Sequence, residues 1–142
     1  MRRAAVVLLG VLLAPLARAG TPAAPGAQIL EHKGRWESGY GAKFYNVVGR
    51  LRNTSGQALR FVKLRIDALD DHGKKVASTE TYNESAEALS VPDLDPKQLL
   101  ASGKIAPLAT DAEERFRGSF LDDETPKFTA YRVTVVETPP AP

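Results

Sequence analysis

The residues Leu59–Leu69, LRFVKLRIDAL, alternate cleanly between apolar and charged side chains. One set of alternate positions is apolar: Val62, Leu64, Ile66 and Ala68. The other set is mainly polar: Phe61, Lys63, Arg65 and Asp67. Because successive side chains of a β-strand point to opposite faces, this period of two predicts a strand with one buried face.

The residues that follow complete a predicted hairpin. Asp70–Gly73, with Asp first and Gly last, is typical of a type I turn followed by a left-handed residue. Lys75–Asn83 is then expected to pair with the first strand. Its alternation is weaker, which predicts an edge strand.

The same pattern recurs on both sides of this hairpin. Strands are predicted at Gln28–Lys33, Lys43–Arg52, Ile105–Leu108, Glu113–Leu121 and Phe128–Glu137. A glycine-rich loop is predicted between the first two, at Gly34–Gly41, and one helical turn at Pro96–Ala101.

Six or seven short strands separated by turns predict an all-β domain over residues 27–137. The expected architecture is an antiparallel β-sandwich, with the immunoglobulin-like arrangement favoured. An OB-like or up-and-down barrel is the alternative.

The N-terminus predicts export. A basic start, Met1–Arg3, precedes an uncharged apolar run, and Ala17-Arg18-Ala19 places small residues before Gly20. This order indicates a signal peptide, residues 1–19, cleaved after Ala19. The apolar stretch of about 14 residues is shorter than the ~20 that span a bilayer, so no membrane span is expected after cleavage. The mature protein is therefore predicted to be periplasmic or secreted.

Two short segments flank the predicted domain. Residues 20–26 have the composition of a flexible linker. Residues 138–142, TPPAP, are expected to form a disordered tail that cannot pair in a sheet, because proline lacks a backbone donor.

Composition excludes several function classes. The 142 residues include no cysteine, which excludes disulfides, thiolate catalysis and cysteine-ligated metals. Three of the 19 Lys and Arg residues lie in the predicted signal peptide, which leaves 16 basic against 17 acidic residues. A nucleic-acid partner is not expected from this balance.

Two segments resemble the FxLYD domains of secreted bacterial and archaeal proteins. The first is Gly49–Ser55, GRLRNTS, and the second is Ile66–Asp70, IDALD, followed by Gly73. Asp70 and Gly73 match the family pattern outright, whereas Ile66, Ala68 and Leu69 stand where the family has Phe, Leu and Tyr. The resemblance covers residues 45–131 and implies an immunoglobulin-like, extracytoplasmic domain of unassigned role; the family offers no catalytic residues to carry over.

Trp36 and Tyr40 are candidate ligand-binding residues in the predicted loop. Exposed aromatic rings can stack on sugars or anchor a partner protein. The alternative is that Trp36 covers one end of the core, since a single tryptophan in a small domain is usually well buried.

Arg50, Arg52, Lys63 and Arg65 are candidate partner-binding residues. Each alternates with apolar neighbours and is expected on an outer sheet face. If the two strands that carry them were adjacent, the four cations would form a basic patch; a solvated sheet face is the alternative.

No metal site or catalytic site is predicted. Asp residues near His72 have turn spacing rather than the spacing of a calcium loop. No serine lies in a Gly-x-Ser-x-Gly sequence, and two histidines leave little for a catalytic triad. No cofactor is expected.

These observations predict an exported, non-enzymatic accessory domain that contacts another protein of the cell envelope. The edge strand Lys75–Asn83 is one expected docking element. A carbohydrate- or small-ligand-binding module that uses Trp36 and Tyr40 is the alternative.

Overall fold

The computed structural model describes residues 26–142. The predicted signal peptide, and the linker up to residue 25, lie outside the described residues. Six strands form the body of the domain: β1 (Ala27–Gly39), β2 (Ala42–Asn53), β3 (Lys63–Leu69), β4 (Lys75–Tyr82), β5 (Glu113–Leu121) and β6 (Ala130–Glu137).

The strands form two antiparallel three-stranded sheets, which confirms the all-β sandwich. Sheet I has the order β1-β2-β5, and sheet II has the order β4-β3-β6. The chain crosses between sheets after β2, β4 and β5. This connectivity corresponds to strands A-B-E and C′-C-F of an immunoglobulin-like sandwich.

The core lies between the two sheets, where the period of two predicted it. Val47 and Leu51 of β2 and Leu64 and Ile66 of β3 have no exposed surface. Gly118 of β5 faces Ile66 closely, because a Cβ at Gly118 would lie 2.5 Å from the Cδ1 atom of Ile66. The alternating residues therefore bury one face of each sheet against the other.

The first strand is longer than the sequence predicts. Instead of a short strand and a loop, β1 is continuous and pairs with β2 along its whole length. Gly34 is a strand residue whose missing side chain makes room for Tyr45: a Cβ there would lie 2.5 Å from the Tyr45 hydroxyl. The prediction of a loop was therefore wrong for residues 34–39, because Gly34 serves packing and not a turn; only Tyr40 and Gly41 of the predicted loop form a turn.

Two turns explain how the hairpins close. Gly73 has φ 78°, and its N–H donates to the Asp70 carbonyl, as the turn prediction required. Between β1 and β2 the turn consists of Tyr40 and Gly41 alone, with φ of 52° and 76°. Positive φ at both central residues matches a type I′ hairpin turn.

The segment between β4 and β5 forms a second, smaller core. A 3₁₀ helix, Glu84–Ser90, buries Ala86 and Leu89 against Phe61. Helix α1 (Pro96–Ala101) follows, and the Asp95 side chain accepts a hydrogen bond from the Lys97 N–H, as expected for a helix that starts with proline. A short 3₁₀ helix, Asp122–Glu124, connects β5 to β6.

The C-terminal residues pair with the body, contrary to expectation. The Arg60 N–H donates to the Pro139 carbonyl at 2.7 Å, and the Ala141 N–H donates to the Ala58 carbonyl at 2.9 Å. Leu59 forms bridges with both Leu108 and Pro140. A proline cannot donate, but its carbonyl accepts, so the tail joins the sandwich through its acceptors and one alanine.

The two sides of the sandwich are closed differently. On one side, Thr81 of β4 donates its hydroxyl to the Arg117 carbonyl of β5, and Asn83 forms a backbone bridge with Phe116. On the other side, a side-chain contact joins β1 to β6: Nδ1 of His32 lies 2.7 Å from the Tyr131 hydroxyl. β4 is an edge strand of its sheet, as predicted.

Candidate functional site

The four predicted partner-binding cations do not form one patch. Arg50 and Arg52 lie on β2 in sheet I, whereas Lys63 and Arg65 lie on β3 in sheet II. Both pairs are on outer faces, as predicted, but those faces point away from each other. The condition for a shared basic patch is therefore not met.

These four cations are also engaged by carboxylates. Arg50 pairs with Glu31 and Glu113, and Arg52 also pairs with Glu113. On sheet II, Nζ of Lys63 lies 3.2 Å from Glu80.

Arg65 covers a carboxylate that sequence reasoning placed at the surface. Asp67 is on the predicted outer face of β3 but is only 1% exposed. It accepts hydrogen bonds from the Ser78 hydroxyl at 2.9 Å and from Arg132 at 3.2 Å, and Nε of Arg65 lies 3.3 Å away. The two guanidinium groups and the hydroxyl stabilise the buried charge of Asp67, which gives this cluster a structural role.

Trp36 lies on β1 and not in a loop. Its ring makes a T-shaped contact with Tyr45 at 5.2 Å and a tilted contact with Phe128 at 5.7 Å. Nζ of Lys43 lies 4.9 Å from the ring centre. Trp36 therefore covers one end of the core, yet 41% of its surface stays exposed.

Tyr40 has no such packing. Its side chain is fully exposed at the turn between β1 and β2, in the left-handed backbone region. That region favours glycine and asparagine, and a bulky side chain there is unusual. We call Tyr40, together with Trp36 and Lys43, the hairpin tip.

A row of aromatic residues runs from the hairpin tip to the side of the sandwich where β1 of sheet I lies beside β6 of sheet II, which we call the open side. Tyr45 contacts Phe128 at 5.1 Å and Tyr131 at 5.9 Å, and Tyr131 contacts His32 at 5.3 Å. Partial burial lowers the pKa of His32, which keeps exposed surface, and burial raises the pKa of Tyr131 to about 12. Both groups are therefore neutral near pH 7, which suits the hydrogen bond between them.

Sequence reasoning missed a larger cationic surface on the outer face of sheet I. Strand pairing brings together side chains from β1, β2 and β5. We call the six cations on this surface the arginine face: Lys33, Arg35, Arg50, Arg52, Arg115 and Arg117. Their alternation was visible in each strand, but the pairing of β1 and β5 with β2 was not.

The centre of the arginine face is a shallow depression. Val48 of β2 stands directly between Lys33 of β1 and Arg117 of β5. The next row toward the hairpin tip contains Asn46, which is only 7% exposed and accepts a hydrogen bond from Ser119 at 2.5 Å. The space above these rows has a volume of about 270 Å³.

Carboxylates on this surface are held ionised. A hydrogen bond from Asn46 lowers the pKa of Glu37, and Arg35 adds to the effect. Hydrogen bonds from Arg50 and Arg52 lower the pKa values of Glu31 and Glu113, respectively. Among residues 26–142, no carboxylate lies within 4.0 Å of Lys33, Arg115 or Arg117.

Three residues in the two segments that resemble FxLYD domains have structural roles. Gly49 allows close packing, because a Cβ there would overlap the Glu31 carbonyl oxygen and lie 2.6 Å from the Phe116 ring. Asn53 is fully buried and donates to the carbonyls of Gln57, Leu108 and Ala109. Asp70 accepts from the N–H groups of His72 and Lys74, both at 2.9 Å.

Within the described part of the chain, no group of three or more His, Asp or Glu side chains is arranged to hold a metal ion. His72 is exposed and lies 3.5 Å from Asp71, its neighbour in the turn. Neither histidine hydrogen-bonds to a serine in residues 26–142. None of the helices in those residues is long and apolar enough to cross a bilayer.

Comparison with known proteins finds no matching family model, no matching curated protein and no matching solved structure. The resemblance to FxLYD domains therefore stays a prediction from the two quoted segments.

Proposed function

We propose that this chain is an exported, non-enzymatic domain, periplasmic or secreted, that contacts another protein of the cell envelope through its hairpin tip. The observation that carries the proposal is Tyr40, a fully exposed aromatic residue at φ 52°. The turn itself favours asparagine or glycine, so folding does not explain a tyrosine there. Tyrosine is enriched at protein interfaces and supplies a large contact area with few rotatable bonds.

The edge strand β4 is a less suitable contact element. Its Thr81 side chain bonds to β5, and the following Asn83 forms a bridge with Phe116. Among the described residues, no side chain packs against Tyr40 in the way that β5 packs against β4. Gly41, the next residue, likewise has open space around its Cβ position.

Two observations support the other parts of the proposal. The predicted signal peptide supports export. Both histidines have partners other than serine, Tyr131 for His32 and Asp71 for His72, which supports a non-enzymatic role.

Photo-crosslinking in the host envelope tests the contact. A photoreactive amino acid replaces Ser38, which is exposed two residues before Tyr40. We expect a covalent adduct with another protein that is lost when Tyr40→Asn is added. The same photoreactive residue at Lys97 in α1 is the control and should give no adduct that depends on Tyr40. An adduct at position 38 that survives Tyr40→Asn, or no adduct there, would contradict the proposal.

Carbohydrate or small-ligand binding is a second candidate, favoured by the exposed part of the Trp36 ring beside Lys43. Aromatic rings bind sugar faces by stacking, and Trp36 is the only tryptophan in the chain, so its fluorescence reports the site directly. Saturable quenching by cell-wall glycan fragments would support this candidate. Unchanged fluorescence, together with a protein adduct at position 38, would favour protein contact.

A further inference from the structure

We propose that the arginine face binds an extended acidic segment of a partner protein, with the row Lys33–Val48–Arg117 at its centre. This inference rests on the proposed function in one respect, that the partner is a protein. It concerns a different surface from the hairpin tip.

Charge is unevenly distributed over the molecule. The outer face of sheet I carries six cations and the three carboxylates Glu31, Glu37 and Glu113, a net charge of +3. The remaining described residues contain ten basic and 14 acidic side chains, a net charge of −4. A surface whose charge opposes that of the rest of the molecule attracts and orients an anionic partner.

Folding does not explain the arrangement of these cations. Arg50 and Arg115 stand directly opposite each other on neighbouring strands, and like charges in that position are destabilising. Glu31 and Glu113 neutralise Arg50, whereas Arg115, Arg117 and Lys33 have no carboxylate within 4.0 Å among the described residues. These three cations are available to an incoming carboxylate.

The spacing of the cations fits an extended polypeptide. Lys33 and Arg35 on β1, like Arg115 and Arg117 on β5, are two residues apart and project from the same face. Alternate side chains of an extended peptide repeat at the same interval of roughly 7 Å. A segment with acidic residues at alternate positions therefore meets the cations in register, and Val48 leaves room for it between them.

The surface is less suitable for other anionic partners. Large exposed apolar residues of the described chain, such as Trp36, Tyr40 and Val136, all lie elsewhere. Among the described residues, the arginine face therefore has no large exposed ring to stack on sugars and no large exposed apolar side chain to enter a bilayer interface; Phe44, opposite Glu37 on this face, is half-buried. Its three carboxylates also oppose a uniformly anionic membrane surface.

A labelled peptide of about ten residues with alternating Ser and Glu tests the proposal by fluorescence anisotropy at low salt. We expect the double variant Lys33→Glu with Arg117→Glu to bind at least about tenfold more weakly, because two attractive contacts become repulsive. The matched control, Lys97→Glu with Lys104→Glu, changes the net charge equally at exposed sites outside the face and should bind normally. Lys33→Gln with Arg117→Gln should give an intermediate loss, and melting temperatures should show that all variants fold.

Several results would overturn the inference. The first is that the control variant loses as much peptide affinity as the double Glu variant, and the second is that a peptide with its Ser and Glu residues in two separate blocks binds as tightly as the alternating peptide. The third is that hyaluronate or anionic vesicles bind more tightly than the peptide at the same residues. The fourth is that the chain forms a salt-sensitive dimer that the double Glu variant abolishes. Tyr40→Asn should leave peptide binding unchanged. Failure of the crosslinking experiment with retained peptide binding would therefore reject the hairpin tip alone.

Discussion

The hydroxyl of Tyr131 lies 2.7 Å from Nδ1 of His32, and this hydrogen bond connects β6 in sheet II to β1 in sheet I. The rings of His32 and Tyr131 also pack edge to face, with their centroids 5.3 Å apart. The β1–β6 side of the sandwich is therefore held in part by a histidine, a side chain that gains charge on acidification.

Stability should decrease on mild acidification. Partial burial lowers the pKa of folded His32 below its ordinary 6.5, so the unfolded chain binds a proton more readily. The stabilising contribution is complete above pH 6.5 and is lost as the pH falls through the folded pKa. We expect the free energy of unfolding, measured in urea from about pH 7.5 to 5, to fall less in His32→Gln than in the wild type.

The same titration has internal controls. His72→Gln should keep the wild-type pH dependence, because this side chain is 85% exposed. Glu31, Glu37 and Glu113 have pKa values lowered from 4.5, so their contributions persist above that value and disappear only at lower pH. An unchanged pH dependence in His32→Gln would contradict the assignment.

Gly49→Ala should be strongly destabilising. The new Cβ would overlap a backbone carbonyl, that of Glu31, and the Phe116 ring, and backbone cannot yield as a flexible side chain can. We expect a loss of about 3 kcal/mol in urea unfolding. Gly39→Ala is the matched control, because nothing lies within 4 Å of its Cβ position, and its stability should change by less than ~0.5 kcal/mol. Similar losses in both variants would show that the close contact is not the cause.

Asn53→Ala should also destabilise the domain. The Asn53 amide donates to three carbonyls, and its side-chain oxygen accepts from the N–H and hydroxyl of Ser55 at 3.0 and 2.7 Å. Removing this fully buried amide deletes all five hydrogen bonds and leaves the Ser55 N–H without its partner, although the three carbonyls keep other donors; we expect a cost of about 3 kcal/mol. Calorimetry should show a lower melting temperature than in Thr54→Ala, an exposed neighbour. Equal melting temperatures would reject this role for Asn53.

Tyr40→Asn should stabilise the domain. Asparagine adopts the left-handed region more readily than tyrosine, and the gain should be about 0.5–1 kcal/mol in urea unfolding. Tyr40→Ala separates the backbone effect from loss of the ring, because alanine shares the unfavourable φ and should give no gain. A loss of stability in Tyr40→Asn would mean that the ring contributes to folding.

The alternation of apolar and polar residues within a single strand was enough to predict where most of the strands lie and which of their faces is buried. The bounds of β5 were predicted without error, and the buried residues Leu64, Ile66 and Ala68 were assigned to the correct face. The hairpin turn before Lys75 was likewise predicted, because Asp and Gly have intrinsic turn preferences.

The errors concern contacts between distant residues. Gly34 was interpreted as a loop residue because the approach of Tyr45 is invisible in the sequence. Alternation places Arg50 and Arg65 on outer faces but does not say which strands are neighbours, so the proposed patch combined two different sheets. The same limit hid the pairing of Arg117 with Val48 and therefore the arginine face.

The unequal closure of the two sides determines where the domain opens. The β4–β5 side has a backbone bridge at Asn83 and Phe116, whereas hydrogen bonds to side chains join the β1–β6 side: His32 to Tyr131, and the Gly26 N–H to the Thr138 hydroxyl. Local unfolding starts where the fewest buried bonds must break. Amide hydrogens along β6 should therefore exchange with solvent sooner than those of β4, the other edge strand of sheet II, and acid should widen the difference. Partial unfolding of this domain should thus expose aromatic core residues such as Tyr45 and Tyr131 before aliphatic core residues such as Leu51 and Leu64.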